Sequence, residues 1–467
     1  MLSRRKSTIR QRLVPKPNLI GKLREGLPAP ARSLLDQLIK LADGRGLPVY
    51  LVGGPLRDLL LDRPSLDLDI AIEGDAIALA HQLAESLSRE NKAGSARPEA
   101  LVGRAAATTF EPRVVTHSTF LTAAVRIPSF HVDLITARSE TYRRPGALPT
   151  VTPATIEDDL LRRDFAINAL ALRLNSPDAG EIIDPSGGRA DLHARLVRVL
   201  HDRSFQDDAT RISRGVRYAS RFGFEIEPQT LDRLKRDVRY LATISGARLH
   251  HEFVRIFAED APEEILRRLH DLGALAAIHP ALRFGPPQAH AFPRLGELNP
   301  AGARAAYWPA LAWSLSEPQA LDLARRLAAT KPQRKAMAAM PALQRLEPKL
   351  ARPNLKRSAF AELLSPFPLP ALWAFAALTE DSTARDRLLN YLTKARHERP
   401  HLTGNDLLAL GVPEGPELGE ILRRLLYARL DGEATTREDE EHLARQLIEE
   451  GTKPHHHGKN ATSSRSS

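Results

Sequence analysis

The chain has 467 residues, 42% of them hydrophobic and 27% charged, enough for two to four domains and a sizeable buried core. It has no cysteine, which excludes disulfide frameworks and thiolate metal sites and suits a reducing, cytoplasmic setting, and no apolar run approaches the roughly 18 to 20 residues of a membrane span. A formal charge of +10 points to a polyanionic partner, and an aromatic content of 5% argues against surfaces that stack single-stranded bases, so a folded RNA gripped by backbone and shape fits better.

The opening "MLSRRKSTIRQRLVPK" is basic, has no acids and shows no clear apolar face, so it reads as a frayed tail rather than a transit peptide. From about 46 to 200, short β-rich runs ("VYLVGG", "LDIAI", "FHVDLITA", "ALALRLN", "EIIDP", "RLVRVL") mix with helical stretches. From about 201 to 450 strand signals vanish and helical periodicity takes over, broken by Pro-rich joints such as "FGPPQAHAFP" and "SPFPLPALW". The end, "GTKPHHHGKNATSSRSS", is polar and low in complexity, and its histidines are expected to be idle.

Within the first region, "VYLV" followed by Gly53, Gly54 and "PLRDLLLD" reads as strand, tight turn and helix. Glycines let backbone approach a ligand, the free N–H groups of a helix start favour phosphate, and Arg57 one turn on can add a bidentate contact. Next, "LDLDIAI" alternates, so Asp67 and Asp69 share one face of a strand, about 7 Å apart, while Leu66, Leu68 and Ile70 take the other. Two such carboxylates repel unless cations lie between them, and oxygen-only ligands suit Mg²⁺. Asp133 in "FHVDLITA" is a candidate third carboxylate. Each feature has a bland alternative: a plain turn, a solvated strand edge, a surface acid. Their proximity argues for one site, because two-metal phosphoryl transfer needs a triphosphate holder beside metal-binding carboxylates.

The ordered motifs "GGPLRDLLLDRPSLDLDIAIEGDA", "VDLITARSETY", "DLLRRDFAINALAL", "IIDPSGGRADL" and "SFQDDATRISRGVRYASRFGF" resemble those of class II tRNA nucleotidyltransferases and bacterial poly(A) polymerases. The resemblance covers roughly residues 46 to 280 and resumes near "LTGNDLLALGVPEGPELGEILRR". It implies an α+β head of the DNA polymerase β-like nucleotidyltransferase type, a mixed sheet with helices, followed by an all-α neck, body and tail. The expected division is a basic tail over 1–16, head over 17–200, neck over 201–280, body over 281–395, RNA-binding tail over 396–450 and a disordered end over 451–467.

By the same resemblance, Asp67 and Asp69 bind two Mg²⁺ ions with Asp133 assisting. Gly53, Gly54, Arg57 and Arg163 hold the triphosphate, Asp164 meets the ribose, and Asn168 braces the site. Arg162 is left between site and scaffold. Asp208 and Arg211, read as three apart on one helix, offer an acceptor beside a donor. Cytosine and adenine present the matching amino donor and ring-nitrogen acceptor, while guanine and uracil present the reverse. Two buried mismatches of about 1 to 3 kcal/mol each would reject G and U without a template. The alternative is a helix-stabilising ion pair. Asp207 and Ala209 depart from the family's usual Glu and Pro. Arg214, Arg217 and Arg221 follow at near-helical spacing, with Arg214 placed near the nucleotide, and Arg248 is expected to brace the neck beside Ala247, where an acid is usual.

Between Asp322 and Glu362 ten Lys or Arg residues, Arg325 through Arg357, face the single acid Glu347. Such a stretch suits the elbow of a folded RNA or a merely solvated helix face. "LTGNDLLALGVPEGPELG" is spaced for two short helices and a turn, and Asn91 to Arg113 reads as a mobile loop. The expected activity is addition of C and/or A to the 3′ end of tRNA from CTP and ATP, releasing pyrophosphate. CC-only or A-only addition, poly(A) synthesis and an inactive RNA-binding protein are the alternatives.

Overall fold

The structure is a computed structural model that describes residues 18–95 and 110–451 apart from 64, 129, 142 and 145–148, with the side chains of 90–95 and 451 left out. The expected tail over 1–16, the end expected over 451–467 apart from Gly451, which closes a helix, and most of the loop expected over Asn91–Arg113 lie outside the described residues; that loop's ends are helix to Ser95 and strand from Arg113.

The chain divides into two compact units: one running up to Arg248 and including Asp271–Ala277, the other comprising Leu249–His270 and the chain from Ile278 onward. The first is α+β. Its strands are β1 (Val49–Val52), β2 (Asp69–Ile72), β3 (Arg113–His117), β4 (Thr122–Ile127), β5 (Phe130–Thr136), β6 (Arg138–Thr141), β7 (Thr150–Pro153), β8 (Ala171–Arg173), β9 (Ile182–Ile183), β10 (Leu196–Val197) and β11 (Glu225–Ile226). Seven form a mixed sheet in the order β3-β4-β5-β2-β1-β8-β9. Only β2 and β5 run parallel within it. Valine, isoleucine and leucine on alternate positions bury Leu51, Ile70, Ile72, Val132 and Leu134 completely, under the helices Ala29–Asp43 and Ala76–Ser95.

Three parts of this unit differ from expectation. The hairpin β3–β4 and the pair β6–β7 add strands where Ala, Arg and Thr hide the alternation. β11 pairs with β10 inside the stretch expected to be purely helical, because Ile226 is buried there by tertiary packing. Leu66, expected on the core face, is 60% exposed: the strand begins only at Asp69, so alternation does not hold the residues before it.

The second unit is helical among the described residues. Its most apolar helix, Leu369–Leu378, is buried nearly all round, and Phe253, Phe257, Phe292, Tyr307 and Trp308 form a packed aromatic cluster. The C-terminal helices Gly404–Ala409, Pro416–Asp431 and Arg437–Gly451 enclose their own core around Leu407, Ile421 and Leu425. The second of them spans 16 residues, longer than the short helix expected, because its apolar positions continue to Leu430. No single described helix is long and apolar enough to cross a membrane.

Candidate active site

β1 ends at Val52 and the chain turns at Gly53 (φ +71°, ψ −136°) into the helix Gly54–Leu60, with Pro55 in its first turn. A side chain is strained at that backbone conformation. It is also obstructed: a Cβ on Gly53 would lie 2.8 Å from Nη1 of Arg163 and 3.9 Å from Oδ2 of Asp69. Glycine, guanidinium and carboxylate therefore border one space. Gly53→Ala is expected to cost about 1 to 3 kcal/mol of stability and to push Arg163 aside. Urea unfolding with steady-state kinetics checks this, and a higher nucleotide KM should accompany the loss.

The parallel pairing of β2 with β5 sets Asp69 directly opposite Asp133, and the Asp133 N–H donates to Leu68 O at 2.9 Å. Asp67 precedes the strand and is exposed, Leu68 is buried, and Asp69, the first residue of the strand, is half-buried. Burial pushes the Asp69 carboxyl up to about 6; the charges of Asp133 and Asp67 add to the rise and Arg163 opposes it. Among the described residues no three His, Asp or Glu side chains are already gathered as a metal cage. What is present is an excess of hard oxygen donors whose mutual repulsion a divalent cation would relieve, a donor set that fits Mg²⁺.

The run "LLRRDFAINALAL" reads as a helix running into a strand, but Arg162–Asp164 lie outside any helix. The helix Ile156–Leu161, in whose first turn the Asp158 N–H donates to the Thr155 hydroxyl and the Ile156 N–H to Glu73, stops at Leu161 and leaves the three residues in a turn. Asp159, fully buried, is the hub of that turn. Its Oδ1 accepts from Arg162 (2.5 Å) and its Oδ2 from Arg163 (2.8 Å), and although burial pushes its carboxyl up, the two guanidinia hold it low. Arg162 also donates to Glu140 at 2.8 Å, which makes it part of the scaffold. Asp164 is buried and accepts from Phe165 N (2.9 Å), Asn168 Nδ2 (3.0 Å) and Arg214 Nη2 (2.5 Å). Burial opposes ionisation there too, but Arg214 and Asn168 keep its carboxyl below the usual range.

Arg57 departs from the expected open phosphate contact. Its side chain is 4% exposed, and its guanidinium donates to Asn168 Oδ1 at 2.6 Å and to Asp58 and lies over the rings of Phe222 and Tyr218. Arg63 lies over the same Phe222 ring, 5.0 Å from its centroid. The arginine face expected on the helix Thr210–Phe222 is likewise buried at Arg211 and Arg217 rather than open. Gly215 explains how that helix comes so close to the turn: a Cβ there would be 2.9 Å from Cζ of Phe165.

Asp208 is not on the helix with Arg211, contrary to what the spacing suggests. It is extended, just before the helix, and its Oδ1 accepts from Thr210 N (2.9 Å), Thr210 Oγ1 (2.7 Å) and Arg248 Nη2 (2.6 Å). The ion pair weighed as an alternative is thus made with Arg248, 40 residues away, not with Arg211. Arg211 is buried and donates to Arg162 O (2.8 Å) and Ser204 O (3.4 Å). The turn consequently links both halves: Arg162 holds Arg211, Arg163 faces Asp69 and Gly53, and Asp164 holds Arg214.

Residues 49–198 match the family described as the poly A polymerase head domain, and residues 223–284 match a probable RNA and SrmB-binding site of polymerase A. The A-adding tRNA nucleotidyltransferase of Halalkalibacterium halodurans is 32% identical over 442 residues, 92% of this chain and 96% of that protein. This chain belongs to the tRNA nucleotidyltransferase and poly(A) polymerase family. A second family member, the A-adding tRNA nucleotidyltransferase of Geobacter sulfurreducens, is 34% identical over 455 residues, and the chain spans about half (49%) of its length. The CCA-adding enzyme of Thermotoga maritima, solved in complex with tRNA, shares the family fold with a TM-score of 0.69 at 27% identity, covering 92% of this chain and 98% of that one.

Sequence reasoning misses Asp159, and it assigns Arg248 only a bracing role. Asp159 has a signal, a carboxylate three and four residues before Arg162 and Arg163. Arg248 has none, since its pairing with Asp208 exists only once the helix Gly246–Ile256 has folded back.

Proposed function

We propose that the chain is a template-independent nucleotidyltransferase that extends the 3′ end of tRNA with A, or with C and A, from ATP and CTP. The observation that carries this reading is the juxtaposition of Asp69 and Asp133 with Gly53 and Arg163, one turn away from Asp208 and Arg211. In this reading Gly53, Gly54 and Arg163 hold the triphosphate. Arg57 acts through Asn168 as a positioning residue, and the Asp164–Arg214 pair takes the ribose side. Asp67 and Asp69, with Asp133 assisting, would hold two Mg²⁺ ions, which when bound neutralise phosphate charge and lower the pKa of the attacking hydroxyl. The RNA 3′-oxygen forms a bond to the α-phosphorus, the α–β bridging bond breaks, and pyrophosphate leaves in line. A cytoplasmic location goes with that substrate.

Addition of the terminal A alone is favoured by one observation: the relatives from Geobacter sulfurreducens and Halalkalibacterium halodurans, each aligned along more than nine-tenths of the chain, are both A-adding enzymes. Transcripts of tRNA ending at the discriminator base, at C and at CC, each given one NTP at a time, test it. Extension only of the CC end, by one A, is the expected result. Incorporation of CTP would assign C addition as well, a long A tail would assign poly(A) synthesis, and no incorporation on any end would end the reading.

A further inference from the structure

We infer that the second unit holds a pocket for one unpaired nucleotide of an RNA, between the helices Arg357–Leu364 and Ser382–Thr393. The proposal rests on the reading that the substrate is RNA. The cavity measures about 340 Å³, within the range of small-ligand sites. Its floor is apolar: Leu355, Phe360, Tyr391 and Ala395, with the Phe360 and Tyr391 rings meeting edge to face at 6.3 Å. One wall is held rigid by Arg387, which donates to Leu350 O at 3.0 Å and to Pro353 O at 2.7 Å, pinning the loop that follows the helix Lys331–Leu350.

The mouth is polar. Asp386 and Asn390, both exposed, stand one helical turn apart and offer a carboxylate beside an amide that donates and accepts. Arg357, half exposed, adds a guanidinium, and its nearest carboxylate partner, Glu398, is 4.0 Å away. Burial pushes the Tyr391 phenol up, so its hydroxyl stays a donor. Exposed Lys356 and Lys394 are next in the chain to the lining residues Leu355, Arg357 and Ala395, and Lys356 is paired with Glu433 at 2.8 Å; with Arg357 they belong to the basic surface that starts at Arg325.

An apolar floor that carries two aromatic rings suits a flat ring, the amide and carboxylate suit an edge that carries both donors and acceptors, and the Arg357 guanidinium suits a phosphate. A nucleobase on its own strand has all three properties. A hydrocarbon chain would leave Asn390 and Asp386 unmatched, and an acidic peptide would leave the aromatic floor unused. The low aromatic content of the chain is no obstacle, because one pocket needs one pair of rings.

The test uses the full chain with Asn390→Ala plus Arg357→Gln, both at exposed positions, and separately Tyr391→Phe, which removes only a hydroxyl. KM is measured for full-length tRNA and for a short duplex whose only unpaired bases form the same 3′ end. The double variant should raise KM for tRNA roughly tenfold, with kcat and nucleotide choice unchanged and little effect on the duplex. An equal rise on both RNAs would reduce the pocket to general cationic attraction, and no rise on either would remove it; each overturns the proposal. Saturable binding of adenosine 5′-monophosphate, with tRNA KM unchanged in the variants, would assign the pocket to a free nucleotide and likewise overturn it. Filter retention of the same two RNAs reads the pocket even if the chain transfers nothing, so its failure is separable from failure of the proposed activity.

Discussion

Asp69→Asn is expected to abolish nucleotide transfer while making the metal-free protein harder to unfold above pH 6. The folded-state carboxyl titrates at about 6 against an ordinary value of 3.8. A raised carboxyl means that the fold prefers the neutral form. The stabilisation that the neutral form confers is therefore complete below the unfolded value and is lost as pH rises through about 6. At about 1.36 kcal/mol for each pH unit between the two values, and reduced for partial solvent exposure, the penalty at neutral pH is on the order of 2 kcal/mol. Asparagine has nearly the same shape and no charge, so it removes that penalty and with it a ligand for the cation. The expected loss in kcat is at least about a thousandfold, because several kcal/mol of charge stabilisation at the reacting phosphate would go. Denaturant unfolding without metal at pH 5 and pH 7.5 supplies the check. The variant should gain stability over the wild type at pH 7.5 and about half as much at pH 5, where the wild-type penalty is only partly developed, and Mg²⁺ should close the gap by stabilising only the wild type. A variant that is no more stable at pH 7.5, or that still transfers nucleotides, would remove Asp69 from the role assigned to it.

Asp208→Asn is expected to relax the choice of base rather than to stop the reaction. Three donors, Thr210 N, Thr210 Oγ1 and Arg248 Nη2, converge on Oδ1 of Asp208. In the variant they will hold the amide oxygen at that position, which puts the amide NH₂ where Oδ2 now lies. A donor then replaces an acceptor on the side proposed to face the base. The amino groups of adenine and cytosine meet a donor, and the carbonyls of guanine and uracil gain a partner. Arg211 is unchanged and still opposes a ring N–H, so the preference should weaken rather than invert. At about 1 to 3 kcal/mol per mismatch, discrimination between ATP and GTP should fall roughly 10- to 100-fold. The four nucleotides compared by kcat/KM on a tRNA ending in CC give the answer. Unchanged ratios would show that Asp208 does not read the base.

Much of the α+β head is legible in the sequence because its signals are local. Val49–Val52 and Asp69–Ile72 are fully patterned runs, and Gly53–Gly54 ahead of Pro55 announces a turn into a helix. The strands that escape are Arg113–His117, at the edge of the sheet, and Thr122–Ile127 beside it; both have half-exposed faces, where alternation of hydrophobicity is weakest. β11 escapes because two residues carry no period at all.

By itself the sequence determined residue chemistry and spacing: two aspartates one residue apart before a buried strand, a glycine turn upstream, and an acceptor followed three positions on by a donor. Those are properties of single segments, set by covalent order and side-chain type. Only the tertiary structure decided which segments meet. The parallel register of β2 against β5 put Asp133 beside Asp69, the packing of Phe165 on Gly215 brought the neck helix to the Arg162–Asp164 turn, and Arg248 reached Asp208 across 40 residues. Whether a guanidinium faces a ligand or a neighbour is decided the same way. Arg57 is buried against Asn168 and Phe222 because the fold places those partners around it to offset the loss of water, and no spacing along one chain segment encodes that choice.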